Sequence, residues 1–124
     1  MTRTQLEHII RAAATIADDD EIVVLGSQSI LGQFPSAPAE LLISNEADVY
    51  PKNHVERSDL VDGSIGELSP FHDLYGYYAQ GVGPETAILP LGWGDRLVDT
   101  MALDDALATE VRKRIAADFA IASM

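Results

Sequence analysis

The chain has 124 residues, 47% of them apolar, with no cysteine and with 20 acidic against 8 basic side chains, a net charge of −12. This length fits one domain over 1–124, and the missing thiols exclude disulfides, thiolate zinc sites and a cysteine nucleophile. No apolar run reaches the ~20 residues of a membrane helix and no secretion signal opens the chain, so a cytoplasmic protein with no membrane contact is expected.

Residues 4–17 carry Leu6, Ile9, Ile10, Ala13, Ala14 and Ile16 at helical spacing, with Thr4 and Glu7 as the expected capping box. Asp18-Asp19-Asp20 ends that helix. Glu21-Ile22-Val23-Val24-Leu25 is a β-branched apolar run and reads as a buried strand. Gly26-Ser27 follows, and Ser27 to Gly32 starts a short helix. Phe34-Pro35-Ser36-Ala37-Pro38 is a loop. Leu41 to Tyr50 reads as a second strand closed by Pro51, and Ser58 to about Leu68 as a helix weakened by Gly63 and Gly66. Phe71 to Tyr78 fits helix or strand. Thr86 to Pro90 and a segment beginning at Arg96 read as short strands, and Leu103 to Ser123 as a final helix with Leu107, Val111, Ile115 and Phe119 near one face. Such alternation predicts an α/β or α+β domain with a small mixed sheet packed with helices.

Two segments carry chemistry. In Val23-Val24-Leu25-Gly26-Ser27 a strand runs into a bare backbone turn and a helix start, a local arrangement that suits phosphate but is also an ordinary turn and N-cap. In Ser44-Asn45-Glu46-Ala47-Asp48-Val49-Tyr50-Pro51 the two acids lie two residues apart, so on a strand they share a face. Adjacent carboxylates repel, and a divalent cation removes that cost; oxygen-only ligands suit Mg²⁺ or Mn²⁺. A solvated strand face accounts for the same pattern. His72, beside Phe71 and Asp73, fits substrate contact or a structural histidine near aromatics. Tyr75, Tyr77, Tyr78 and Trp93 fit base stacking or core packing, and Asp95 or Glu85 are the acids available as a third carboxylate.

Taken together, the strand, the Gly-Ser turn, the short helix and the acid-x-acid strand resemble the nucleotidyltransferase superfamily related to DNA polymerase beta. Leu25 to Leu31, Glu46 to Pro51, Asp62-Gly63-Ser64-Ile65-Gly66-Glu67, Phe71-His72, Gly76-Tyr77-Tyr78-Ala79 and Leu89-Pro90-Leu91-Gly92-Trp93 look like a bacterial branch similar to the nucleotidyltransferase toxins of toxin–antitoxin pairs. The resemblance covers about residues 5–98. It implies Gly26 and Ser27 as nucleotide-binding residues, and Glu46 and Asp48 as the catalytic acids that hold Mg²⁺ or Mn²⁺. It further implies a nucleoside triphosphate as donor and an RNA or protein as acceptor.

Relatives of that kind continue into a helical region with a lysine and a further acid. Here one helix is expected after Val98, and its Lys113 lies within Arg112-Lys113-Arg114 on an expected solvated face. Arg96 is the expected substitute for the missing cation, as a nucleotide-binding residue. The acidic charge repels nucleic acid at long range, so RNA contact would fall to Lys52, Arg57 and Arg96 or to residues 112–114. Two functions follow: metal-dependent transfer of a nucleoside monophosphate to a macromolecule, or a non-catalytic module that binds a partner protein or a second copy, with 103–123 as its docking helix.

Overall fold

A computed structural model describes residues 1–86 and the backbone of two short strands at 98–99 and 116–119. Helix α1 spans Arg3–Ala17, and its Leu6, Ile9, Ile10, Ala13, Ala14 and Ala17 are buried along one stripe. Its capping box is Thr2 with Gln5: the Thr2 hydroxyl accepts from the Gln5 N–H, and the Gln5 side chain accepts from the Thr2 N–H. The expected Thr4–Glu7 pair is not the capping box, because Thr4 already lies inside the helix, two residues past the N-cap. Starting the helix at Arg3 instead allows the Arg3–Glu7 ion pair at 3.7 Å. Asp18 closes the helix in the left-handed conformation, at φ 49°.

Strand β1 (Glu21–Leu25) pairs antiparallel with β2 (Glu46–Pro51), and β2 pairs parallel with β3 (Tyr78–Gly81). The result is an α+β fold with a mixed sheet packed with helices, as the alternation predicts. β1 and β2 are neighbours as expected, although β2 begins at Glu46 rather than at Leu41; a 3₁₀ turn occupies Ala39–Leu41. On the other side of β1 lie 116–119 in parallel and, beyond them, 98–99 antiparallel. Residues 116–119 are therefore extended where a helix over 103–123 was expected, because the β1 edge offers a ladder of hydrogen bonds that local periodicity does not register. The rest of that expected helix lies outside the described residues, as do Ala87–Pro90 of the expected third strand; Thr86 ends a 3₁₀ turn.

The sheet alternates. Ile22, Val24, Ala47, Val49 and Ala79 face α1 and helix α3 (Ser58–Ile65) in the main core, while Val23, Leu25, Tyr50 and Val82 cluster on the opposite face. α3 ends at Ile65, short of Leu68, and helix α4 (Pro70–Tyr75) follows, so the ambiguous aromatic segment is a helix that gives way to β3. α3 lies tightly on β3: a Cβ on Gly81 would collide with the Ser58 carbonyl, and the Ser58 hydroxyl donates to Val82 O at 2.8 Å. Asp19, buried, ties the α1–β1 turn to the chain after β2, accepting from Glu21 N, Asn53 N and Asn53 Nδ2 at 3.0, 2.8 and 3.0 Å. Helix α2 (Ile30–Gln33) follows the Ser27–Ser29 turn. No helix among the described residues is long and apolar enough to cross a membrane.

Candidate functional site

β1 runs into Gly26, which adopts φ 83° and ψ −165°, a conformation open to glycine alone. The carbonyl of Gly26 accepts from both the backbone N–H and the hydroxyl of Ser29, at 3.1 and 2.6 Å, which locks the turn. Gln28 is fully buried, and its Nε2 donates to the exposed Ser27 Oγ at 3.1 Å. Ser27 thus presents its hydroxyl at the surface with its orientation set from below.

The acid pair stands directly beside this turn. Leu25 is the register partner of Asp48, and a Cβ on Gly26 would lie 3.3 Å from Asp48 Oδ2. Glu46 and Asp48 alternate with the core-facing Ala47 and Val49, so both occupy the sheet face away from α1 and α3. Asp48 Oδ1 is buried without a hydrogen-bond partner among the described residues. Burial, then the hydrogen-bonding and negative Glu46 carboxyl, push the Asp48 carboxyl up to about 6. Glu46 in turn accepts from the Tyr78 hydroxyl at 2.7 Å. That bond, reinforced by burial and by the charges of Glu46, Glu67 and Asp48, pushes the Tyr78 phenol up to about 12.

Comparisons with protein-family models, curated proteins and solved structures give no match. The chemistry of the site therefore stands on its own residues.

Two oxygen-donor side chains side by side, one with an orphaned buried oxygen, fit a hard divalent cation of the Mg²⁺ kind, which typically takes one or two carboxylates and fills its remaining positions with water and phosphate oxygens. Among the described residues no group of three histidines or acids gathers as a metal site. Glu85 is exposed in the Pro84–Thr86 turn, and Asp95 lies outside the described residues.

The basic residues named from the sequence are engaged elsewhere or undescribed. Lys52 pairs with Glu21 at 3.1 Å, and Arg57 Nη1 donates to Ala17 O at 2.7 Å, closing the end of α1. Arg96 and residues 112–114 lie outside the described residues. His72 is held locally: its Nδ1 accepts from Leu68 N–H at 3.0 Å, and its ring lies 4.4 Å from that of Tyr78. Tyr75 and Tyr77 pack with His8 and Phe71, and Tyr77 OH meets His8 Nδ1 at 2.6 Å. The sequence marks Tyr78 only as a stacking or packing aromatic and does not show its partnership with Glu46, which parallel pairing brings about across 32 residues, nor the brace that Gln28 gives Ser27.

Proposed function

We propose that this chain is a nucleotidyltransferase-like domain that binds a nucleoside triphosphate with Mg²⁺ or Mn²⁺ at Gly26, Ser27, Glu46 and Asp48. Its reaction is transfer of a nucleoside monophosphate to an RNA or protein acceptor, in the manner of a toxin–antitoxin component. The observation that carries the reading is the closeness of the Gly26 turn to Asp48, whose Oδ2 lies 3.3 Å from where a Cβ on residue 26 would stand, since phosphate chemistry needs bare backbone and paired carboxylates at one point. Glu46 and Asp48 would hold the cation. The cation, when bound, supplies neutralisation of charge on the triphosphate. Gly26 leaves room for close approach, Ser27 offers a hydroxyl braced by Gln28, and the acid pair fixes where the triphosphate can sit. Titration calorimetry with each of the four ribonucleoside triphosphates, with and without Mg²⁺, tests this; heat of binding that needs both is expected, and none with any nucleotide overturns it.

A second reading has its own support. Lys52 and Arg57 are tied to Glu21 and to the end of α1, so the described residues bring neither cation to the acid pair. A non-catalytic module that binds a partner protein or a second copy fits that pattern. Nucleotide binding without any transfer to RNA or protein separates it from the first.

A further inference from the structure

Glu46 needs orienting if it is to act with Asp48. A free glutamate side chain samples many rotamers, and a donor fixed on one of its oxygens removes that freedom before any ligand arrives. Tyr78 is such a donor. Parallel pairing sets it opposite Glu46, as it sets Gln80 opposite Asp48. Ala79 between them is fully buried towards the helices, so Tyr78 is on the acid-bearing face. The ring of His72 lies 4.4 Å from that of Tyr78, tilted by 44°, and His72 is itself held by Leu68 N–H. The phenol is therefore supported on its ring as well as bonded through its oxygen.

We propose that Tyr78 is the positioning residue of the acid pair: its hydroxyl, 2.7 Å from Glu46 Oε2, fixes the Glu46 carboxylate beside Asp48 so that both present oxygens to one divalent cation. This rests on the cation reading above and assigns a role that the acids' spacing alone does not imply. Tyr78 does not itself touch the cation; it acts through Glu46.

The test is a Mn²⁺ titration followed by electron paramagnetic resonance on the full chain, in four forms: wild type, Tyr78→Phe, Glu46→Gln and the double variant. Tyr78→Phe keeps the ring and its contact with His72 and removes only the donor. It is expected to weaken Mn²⁺ binding by about tenfold, the scale typical of a lost hydrogen bond to a ligating carboxylate. The double variant is expected to bind no more weakly than Glu46→Gln. Undiminished binding in Tyr78→Phe, or the same loss in the Glu46→Gln background, overturns the proposal while leaving the cation site standing. A wild type that binds no Mn²⁺ overturns both. Should Tyr78→Phe fail to fold, the Tyr78 Cζ resonance of wild type serves instead. A shift on adding Mg²⁺ that is absent in Glu46→Gln supports the role, and a resonance blind to Mg²⁺ removes it.

Discussion

Gly26 and Asp48 meet across the β1–β2 ladder, with a Cβ at residue 26 placed 3.3 Å from Asp48 Oδ2 and the residue 26 backbone at φ 83°. Gly26→Ala is therefore opposed twice, by backbone strain and by the carboxylate. A loss of about 1–3 kcal/mol is expected in urea unfolding, together with weakened triphosphate binding. Unaltered stability in this variant would mean that the turn relaxes to another conformation without cost.

Asp48→Asn is expected to remove Mg²⁺-dependent triphosphate binding and leave the fold intact, since the amide keeps the carboxylate's volume and loses its charge. Calorimetry for binding and circular dichroism for the fold are the measurements. Binding equal to wild type would reduce the acid pair to a solvated face.

The pH dependence has a definite sign. The Asp48 carboxyl sits at about 6 in the folded chain against an ordinary 3.8, so the folded state holds a proton that the unfolded chain releases earlier. The stability this provides is full below about pH 4 and is lost as pH rises through about 6. After allowance for partial exposure the loss is on the order of 1 kcal/mol. Denaturation of wild type and Asp48→Asn across that window is the measurement, without divalent cations present. The drop is expected in wild type alone, and a matching drop in Asp48→Asn assigns it to other groups.

Asp19→Ala is a test of the fold separate from the site. It leaves the N–H groups of Glu21 and Asn53 without their carboxylate acceptor in a buried turn. A cost of about 2–4 kcal/mol is expected, several times that of an exposed substitution. A change within about 0.5 kcal/mol would show that water replaces the carboxylate at no cost.

Purified chain with Mg²⁺ and labelled triphosphates is expected to show weak or no transfer to extract RNA or protein. Losing one positioned cation in phosphoryl chemistry typically costs orders of magnitude in rate. Robust labelling refutes this, and labelling that survives Arg96→Ala removes Arg96 as the substitute cation.

Much of the frame is legible because it is written locally. The stripe Leu6, Ile9, Ile10 and Ala13 gives α1, and Ile22 to Leu25 gives β1. The Gly26–Asp48 contact follows once those elements pair. β3 escapes because it has four residues and follows directly on an aromatic helix, so no periodicity of its own develops. The strand at 116–119 escapes for a different reason: Ile115 and Phe119 satisfy helical spacing, and only the edge of β1 decides otherwise. In the site, the acids are visible as a two-residue motif, whereas the partner of Glu46 lies on a strand that sequence reasoning does not find.

The sheet register also imposes an order of arrival during synthesis. A nascent chain that has emerged only as far as Pro51 already holds every residue of the β1–β2 ladder, and with it Gly26, Glu46 and Asp48. Tyr78 comes 32 residues after Glu46, on the far side of α3 and α4. The two carboxylates are thus synthesised before the phenol that bonds one of them. Until then a proton or a bound cation is what relieves their mutual repulsion.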